Sequence, residues 1–152
     1  MKILITGSFD PITLGHIDII NRAKNISSDI IVGVFNNEEK QYMFDLDTRV
    51  MLVSLACPSE KVVGYNGFVV DFCREYNIDI IVRGFRNYTD YKYEVEMAKY
   101  NYAHGNVQTY LLPTRENLSH ISSTLARYKI VNNEPLDEYL PKILIDKLRR
   151  NN

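Results

Sequence analysis

Residues 2–25 read KILITGSFDPITLGHIDIINRAKN, and this stretch decides the fold. It begins with a short apolar run at 2–6, continues through a loop at 7–16 that contains glycines, and ends in a segment at 17–25 whose apolar residues recur with helical period. A strand, a loop and a helix in that order are typical of a βαβ unit, in which successive strands pair in parallel. The stretch therefore predicts an α/β fold.

The same alternation of apolar runs and helical periods continues to the end of the chain. Further strands are predicted at 30–35, 61–65, 79–83 and 107–112, and further helices at 46–57, 68–76, 91–104, 122–131 and 140–150. The strands are apolar at consecutive positions, as expected where helices cover both faces of a parallel sheet. We therefore predict a single domain, residues 1–152, with a Rossmann-like, doubly wound α/β fold, a five-stranded parallel sheet and a helical C-terminal end.

Composition limits the possible partners. The chain has 152 residues, with 18 Lys and Arg against 19 Asp and Glu, and a formal net charge of -1. This balance gives no global positive field for nucleic acid or for an anionic membrane, so a polyanion must be bound by a local cluster of cations. No apolar run approaches the roughly 20 residues that cross a bilayer. The composition predicts a small-molecule partner, with neither nucleic acid nor a membrane.

Cysteine usage indicates the cellular compartment. Cys57 and Cys73 lie in apolar surroundings, without CxxC spacing or a neighbouring histidine. This pattern is typical of buried, reduced thiols, and a disulfide is the less favoured alternative. The N-terminal apolar run stops at Gly7 and is too short for the core of a signal peptide. A cytoplasmic protein is therefore predicted.

Polar segments follow three of the predicted strands. Residues 7–16, 84–87 and 113–124 come after the first, fourth and fifth strands and hold most of the unusual polar residues of the chain. In open α/β sheets, ligands bind beyond the carboxyl ends of the strands, where helix N-termini and free backbone N–H groups converge. We therefore expect these segments to form one binding site.

The first polar segment has the outline of a phosphate cradle. Gly7 and Gly15 permit close approach of the backbone to a ligand, and His16 opens a helix whose N-terminus favours anions. The segment matches neither the GxGxxG fingerprint nor the Walker A loop, so another kind of phosphate site is required. The alternative is structural: Asp10-Pro11 would be a turn, and His16 a capping or core histidine.

Arginines dominate the second polar segment. Arg83 and Arg86 follow an apolar run with a glycine between them, and the planar guanidinium group suits phosphate oxygens. The alternative is a pair of surface arginines in salt bridges with Asp90 or Glu94. By itself, Glu94 resembles an ordinary surface glutamate.

Hydroxyl groups and a lysine complete the candidates. Ser122, Ser123 and Thr124 begin a predicted helix, where they would either cap it or hold a polyphosphate together with the helix's unpaired N–H groups. Lys40 lies on a polar loop after the second strand, and without other information it is read as a solvated lysine.

These residues resemble the motifs of a known superfamily. TLGH at 13–16 and ISSTLAR at 121–127 are similar to the (H/T)xGH and ISSTxxR motifs of the nucleotidyltransferases. GSFDPITLGHIDII, GFVVDF, IIVRGFRN, YEVEMAKYN and HISST occur in the order found in bacterial phosphopantetheine adenylyltransferases, over nearly the full chain. That family joins ATP and 4'-phosphopantetheine to give dephospho-coenzyme A and pyrophosphate. The resemblance implies the same transfer here, by direct in-line attack with electrostatic stabilisation of the transition state.

The resemblance also implies roles for individual residues. His16 would stabilise the transition state, while Lys40 and Arg83 would grip the phosphate of the acceptor. The residues aligned with the acceptor site are Ser8, Lys40, Val69, Arg83, Tyr100 and Asn101. The residues aligned with the ATP site are Ser8, Phe9, His16, Gly84, Phe85, Arg86, Glu94, Leu118, Ser119, His120, Ile121, Ser122, Ser123 and Thr124. Many members have Thr at the position of Ser8 and aromatic residues at those of Leu118 and His120, which affects contacts around the adenine and not the reaction.

Magnesium is the cofactor that this reaction implies. The ion is expected to bridge the phosphates of ATP and to keep mostly water ligands, because the motifs contain no carboxylate cluster that would form a protein metal site. The resemblance further implies a homohexamer and feedback by coenzyme A.

Two other functions remain open from the sequence. One is another adenylyl- or cytidylyltransferase of the same superfamily that acts on a mononucleotide or a small phosphate, although such enzymes usually have His where Thr13 stands. The other is a nucleotide-binding regulatory module without catalysis. Such a module would be expected to lose His16 or Lys40 first, and both are present.

Overall fold

A computed structural model describes residues 1–150, so the last two residues of the predicted domain lie outside the described residues. The strands are β1 (Lys2–Gly7), β2 (Asp29–Asn36), β3 (Lys61–Asn66), β4 (Ile80–Phe85) and β5 (Gln108–Pro113). The helices are α1 (Leu14–Ala23), α2 (Leu46–Ala56), α3 (Val69–Glu75), α4 (Tyr88–Gly105), α5 (Ser123–Val131) and α6 (Lys142–Arg150), with a 3-10 turn at Glu116–Leu118. All the predicted strands and helices are present.

The strands form one parallel sheet in the order β3-β2-β1-β4-β5. The chain therefore winds outward from β1 to β3, returns to the other side of β1, and winds outward again to β5. The predicted five-stranded, doubly wound α/β fold is confirmed. The point where the winding reverses lies between β1 and β4, and ligands of such sheets bind at its carboxyl edge.

Helices cover both faces of the sheet. Ile3 and Ile5 of β1 belong to one buried cluster, and Leu4 between them belongs to the other. The first cluster includes buried residues of α1, α2 and α6, and the second includes those of α3. This burial on both faces explains why β1 is apolar at consecutive positions.

Two helices begin earlier than predicted. α1 begins at Leu14 and α4 at Tyr88, where the sequence analysis placed the starts at 17 and 91. Each start has a polar cap that the apolar period does not reveal. The hydroxyl of Thr13 accepts a hydrogen bond in the first turn of α1, and the Asn87 side chain accepts one in the first turn of α4.

Both cysteines are buried and unbonded, as predicted. Burial raises the pKa of each thiol, Cys57 and Cys73, to about 11, so neither is a reactive thiolate at neutral pH. Among residues 1–150, the structure contains no helix with the length and apolar character needed to cross a membrane.

Candidate active site

A cavity of about 340 Å³ opens at the carboxyl edge of the sheet, beside the switch point between β1 and β4. Its walls come from the loop after β1, the loop after β2, the end of β4 and the start of α5. The predicted site residues that line it are Ser8, Phe9, His16, Lys40, Arg83, Gly84, Arg86, Ile121, Ser122, Ser123 and Thr124. The three polar segments singled out in the sequence therefore do converge.

A second cavity of about 430 Å³ adjoins the first. Five residues line both cavities and form the shared wall: Thr6, Gly7, Ser8, Lys40 and Arg83. The predicted acceptor residues Val69 and Asn101 line only the second cavity, on α3 and α4. The site thus consists of two compartments that meet at a wall containing two cations.

Five predicted residues line neither cavity: Phe85, Tyr100, Leu118, Ser119 and His120. Phe85 packs edge-on against Tyr91 with ring centroids 5.2 Å apart, and Tyr100 lies against the ring of His104 at 4.1 Å. The other three lie on and after the 3-10 turn. Their contacts with ligands remain predictions.

His16 is held by the start of α1. The backbone N–H of Thr13 donates to His16 Nδ1 over 3.0 Å, and the backbone N–H of His16 donates to the Thr13 hydroxyl over 3.4 Å. The capping role that the sequence left open is therefore real. Because Nδ1 accepts a hydrogen bond, the neutral ring carries its proton on Nε2. That N–H is the donor left for a ligand.

The charge state of His16 follows from its surroundings. Its pKa is lowered from 6.5 to about 4, first by burial and then by the positive charges of Arg83 and Arg86. Each of these makes the imidazolium form less stable. At neutral pH, His16 is therefore an uncharged hydrogen-bond donor beside two cations.

Arg83 is oriented by an acidic partner on α4. Its Nε and Nη2 donate to the two carboxylate oxygens of Glu94 over 2.9 and 2.6 Å, and its Nη1 donates to the carbonyl of Thr6. Burial lowers the pKa of Arg83, but the hydrogen bonds and charge of Glu94 outweigh this and hold it above its usual value. The bidentate pair fixes the guanidinium plane, and the second Nη2–H remains for a ligand.

Glu94 is 6% exposed and lines the second cavity, not the first. The sequence analysis placed it in the ATP site on the basis of the family resemblance. In the structure, the carboxylate of Glu94 pairs with Arg83. A direct contact between Glu94 and ATP therefore remains a prediction, while its contact with Arg83 is established.

Arg86 is also paired, as the structural alternative proposed. Its Nε donates to Asp90 over 2.9 Å, and its Nη1 points to the carbonyl of Ile121 at 3.5 Å. Burial raises the pKa of Asp90, but the hydrogen bonds from Arg86 outweigh it and leave that pKa below its usual value. Arg83 and Arg86 both line the first cavity although each is paired with a carboxylate.

Lys40 reaches the cavities from an exposed loop. Its backbone N–H closes a turn by donating to the carbonyl of Asn37 over 2.9 Å. The N–H of Asn37 in turn donates to the hydroxyl of Tyr42 over 2.9 Å. Lys40 lines both cavities, and its role beyond that of a solvated surface lysine remains a prediction.

The serines before α5 hold structural bonds. The hydroxyl of Ser122 accepts the N–H of Leu125 over 3.1 Å, which is an N-cap, and the hydroxyl of Ser123 donates to the carbonyl of Pro11 over 2.8 Å. The second bond ties α5 to the loop after β1. The start of α5 remains suited to an anion through its backbone N–H groups.

Asp10 is a site residue that the sequence analysis read only as part of a turn. Its carboxylate is buried and accepts the N–H groups of Met43 and Phe44, each over 2.9 Å. The carbonyl of Asp10 accepts Nη1 of Arg127 over 2.8 Å. Asp10 therefore joins the loop after β1 to the Lys40 loop and to α5.

Arg49 was not predicted at all. It is fully buried on α2, and its Nη1 donates to the carbonyls of Ser8 and Phe35 over 2.9 and 3.1 Å. One signal was present in the sequence: Arg49 stands one helical turn before Leu52 and Val53, which places it on the apolar face. An arginine there requires buried acceptors, and the loop after β1 and the end of β2 supply them.

Residues 1–150 contain no cluster of three or more His, Cys, Asp or Glu that is placed to hold a metal ion. The carboxylates of Asp10 and Asp90 line the first cavity, but each already accepts hydrogen bonds from protein groups. This donor set fits a cation that is carried by the phosphates of a ligand better than one caged by the protein.

Comparison with known proteins identifies the family of the chain. Residues 4–129 match a family model described as cytidylyltransferase-like. The chain is 40% identical over 144 residues to the phosphopantetheine adenylyltransferase of Cutibacterium acnes (strain DSM 16379 / KPA171202), covering 93% of this chain and 92% of that protein. It is 34% identical over 152 residues to the phosphopantetheine adenylyltransferase of Actinobacillus succinogenes (strain ATCC 55618 / DSM 22257 / CCUG 43843 / 130Z), covering 97% and 94%.

A solved structure shares the fold. The lipopolysaccharide core biosynthesis protein from Thermoplasma volcanium GSS1 superposes with a TM-score of 0.56 at 22% identity, covering 76% of this chain and 96% of that one. This likeness shows the fold alone, whereas the family model and the two relatives also show the family. The chain belongs to the cytidylyltransferase-like family and, within it, to the phosphopantetheine adenylyltransferases.

Proposed function

We propose that this enzyme transfers the adenylyl group of ATP to 4'-phosphopantetheine, giving dephospho-coenzyme A and pyrophosphate in the penultimate step of coenzyme A biosynthesis. The observation that carries the proposal is that the wall shared by the two cavities contains two cations, Lys40 and Arg83. A reaction between two phosphate-bearing substrates requires cations where their phosphates meet. The shared wall supplies them.

No general base is needed. The acceptor is a phosphate monoester that is already anionic at neutral pH, so one of its oxygens attacks the α-phosphorus of ATP directly. The new P–O bond forms as the bond to pyrophosphate breaks, and the electron pair leaves with pyrophosphate. The difficulty is electrostatic, because two anions must approach and charge spreads over the phosphoryl oxygens.

The residues meet this difficulty by position. Lys40 and Arg83 hold the acceptor phosphate from the second cavity. His16 Nε2–H donates to an α-phosphoryl oxygen in the transition state, which an uncharged imidazole does without protonating the nucleophile. Arg86 and the N–H groups at the start of α5 take the β- and γ-phosphates.

Magnesium is proposed as a cofactor that arrives on ATP. When bound, the ion would supply positive charge to the polyphosphate. The protein contribution is to position the phosphates around it, since the cavity carboxylates of Asp10 and Asp90 are held by other groups.

Incubation of the protein with ATP, Mg²⁺ and 4'-phosphopantetheine tests the proposal. We expect pyrophosphate and dephospho-coenzyme A to form in equal amounts, as followed by a coupled pyrophosphate assay and by mass spectrometry. Release of pyrophosphate with nicotinate or nicotinamide mononucleotide, and none with 4'-phosphopantetheine, would overturn the substrate assignment. ATP binding without turnover on any acceptor would favour a regulatory module.

The assembly and regulation implied by the family are proposed as well: a cytoplasmic homohexamer that is inhibited by coenzyme A. Exposed tyrosines on α4 support an interface there, because Tyr88 and Tyr93 are 73% and 61% exposed. Light scattering after size exclusion measures the assembly, and turnover in the presence of added coenzyme A measures the inhibition.

A further inference from the structure

The ring of Tyr42 lies near two cations, one buried and one exposed. The guanidinium carbon of Arg49 is 3.8 Å from the ring centroid, and the Nζ of Lys40 is 6.0 Å from it. The hydroxyl of Tyr42 accepts the N–H of Asn37, at the turn that carries Lys40. Tyr42 thus contacts both the turn that carries Lys40 and the buried guanidinium group of Arg49.

Arg49 is a rigid support for this ring. It is fully buried, its Nε donates to the carbonyl of Phe44 over 3.0 Å, and its Nη1 donates to the carbonyl of Ser8 over 2.9 Å. A guanidinium held by several acceptors cannot rotate without leaving buried groups unpaired. The face of Tyr42 that rests on Arg49 is therefore fixed relative to the loop after β1.

Within residues 1–150, no hydrogen bond or ion pair anchors the side chain of Lys40 in a comparable way. Its side chain is exposed and long, and ordering such a chain costs up to roughly 2 kcal/mol of conformational entropy. A cation that is ordered before the substrate arrives does not incur that cost on binding.

We propose that Tyr42 is a positioning residue: supported by Arg49, it holds Lys40 at the wall shared by the two cavities. The inference rests on the proposed function for its kinetic consequence, because Lys40 is there assigned to the acceptor phosphate. The positioning itself is a property of the protein without substrate. It can therefore be measured independently of turnover.

A direct measurement uses the lysine side chain as a probe. Reductive methylation with ¹³C-formaldehyde places methyl groups on Lys40 Nζ while keeping its charge, and the Lys40→Ala variant identifies the resonance by its loss. In the native protein, the Tyr42 ring current should shift this resonance away from the values of other exposed lysines. Tyr42→Leu should return it to those values, whereas Tyr102→Leu, at an exposed tyrosine on α4, should leave it unchanged. An unshifted Lys40 resonance in the native protein would overturn the proposal.

Kinetics then test the consequence. Tyr42→Leu should raise KM for 4'-phosphopantetheine about tenfold and change KM for ATP less, although Tyr42 itself lines the first cavity. Tyr42→Phe, which keeps the ring, should have a smaller effect that reports the hydrogen bond to Asn37. In a Lys40→Ala background, Tyr42→Leu should add nothing, because its effect passes through the lysine.

The contrary results are distinct from one another. If Tyr42→Leu only lowers Tm, or if its kinetic effect persists in the Lys40→Ala background, Tyr42 does not position Lys40. If the native enzyme does not turn over 4'-phosphopantetheine at all, the proposed function fails. The Lys40 methyl resonance still decides the positioning in that case.

Discussion

His16 and Lys40 reach the same cavity but are held in different ways. His16 lies within α1, where the capping bonds to Thr13 and burial fix its orientation and its charge state. Lys40 lies on an exposed loop and is tied down through Tyr42 and the turn at Asn37. The uncharged donor is built into a helix, whereas the cation is placed on a loop beside the solvent.

The difference has an electrostatic reason. A histidine that must donate from a neutral ring benefits from burial and from nearby cations, because both oppose its protonation. A lysine that must meet a charged substrate would lose much of its hydration if it were buried without a partner. The charge of Arg83 lowers the pKa of His16, and the same charge is proposed to attract the acceptor phosphate.

Removing His16 should cause the largest loss. His16→Ala deletes the donor to the α-phosphoryl oxygen, so we expect kcat to fall about 100- to 1,000-fold with little change in KM for ATP. Steady-state kinetics with each substrate varied in turn measure this. Because His16 also belongs to the cap of α1, circular dichroism melts must show that the variant is folded. Equal, small changes in kcat and KM would contradict the assigned role.

Removing Lys40 should cause a smaller loss of a different kind. Lys40→Ala is expected to raise KM for 4'-phosphopantetheine about 10- to 100-fold and to lower kcat, because a charge-assisted hydrogen bond to the acceptor is lost. Lys99→Ala, at an exposed lysine paired with Glu96 on α4, is the matched control and should have neither effect. A rise confined to KM for ATP would place Lys40 on the nucleotide side.

A substitution at Glu94 distinguishes two roles: the pairing with Arg83 that the structure shows and the contact with ATP that the family resemblance implies. Glu94→Gln weakens the pair that orients Arg83, so we expect about a tenfold rise in KM for 4'-phosphopantetheine and an unchanged KM for ATP. Glu96→Gln on the exposed side of the same helix is the control. An effect on KM for ATP alone would instead support a direct contact between Glu94 and the nucleotide.

The sequence predicts the fold almost completely, because apolar runs and helical periods report burial directly. Its errors concern the helix starts at Leu14 and Tyr88, which depend on single polar caps. The motif residues are also predictable as a group, since β1, β4 and β5 bring their carboxyl ends to one edge.

The supports of the site are less visible in the sequence. Arg49 and Asp10 bind backbone groups of distant loops, and a backbone carbonyl or N–H leaves no signature in the amino-acid letters. Likewise, the partner of Arg83 is undecided in the sequence, because Asp90 and Glu94 lie in the first and second turns of the helix that follows β4. Only the placement of α4 assigns Glu94 to Arg83 and Asp90 to Arg86.

The smallest expected effect concerns the stability of the folded protein at acid pH. The pKa of His16 is about 4 in the folded protein against 6.5 in an unfolded chain, so between these values the unfolded chain takes up a proton that the folded one refuses. The contribution of His16 to stability is therefore fully present above pH 6.5 and is lost as the pH falls towards 4.

Urea unfolding at several pH values, compared between the native protein and His16→Asn, isolates this contribution, because every carboxylate is common to both. We expect the free energy of unfolding to fall more steeply with acid in the native protein. Asn retains a side-chain acceptor for the N–H of Thr13, so the cap of α1 is least disturbed. Parallel profiles would mean that His16 is as readily protonated in the folded state as in the unfolded one, and its difference from Lys40 would then lie in position alone.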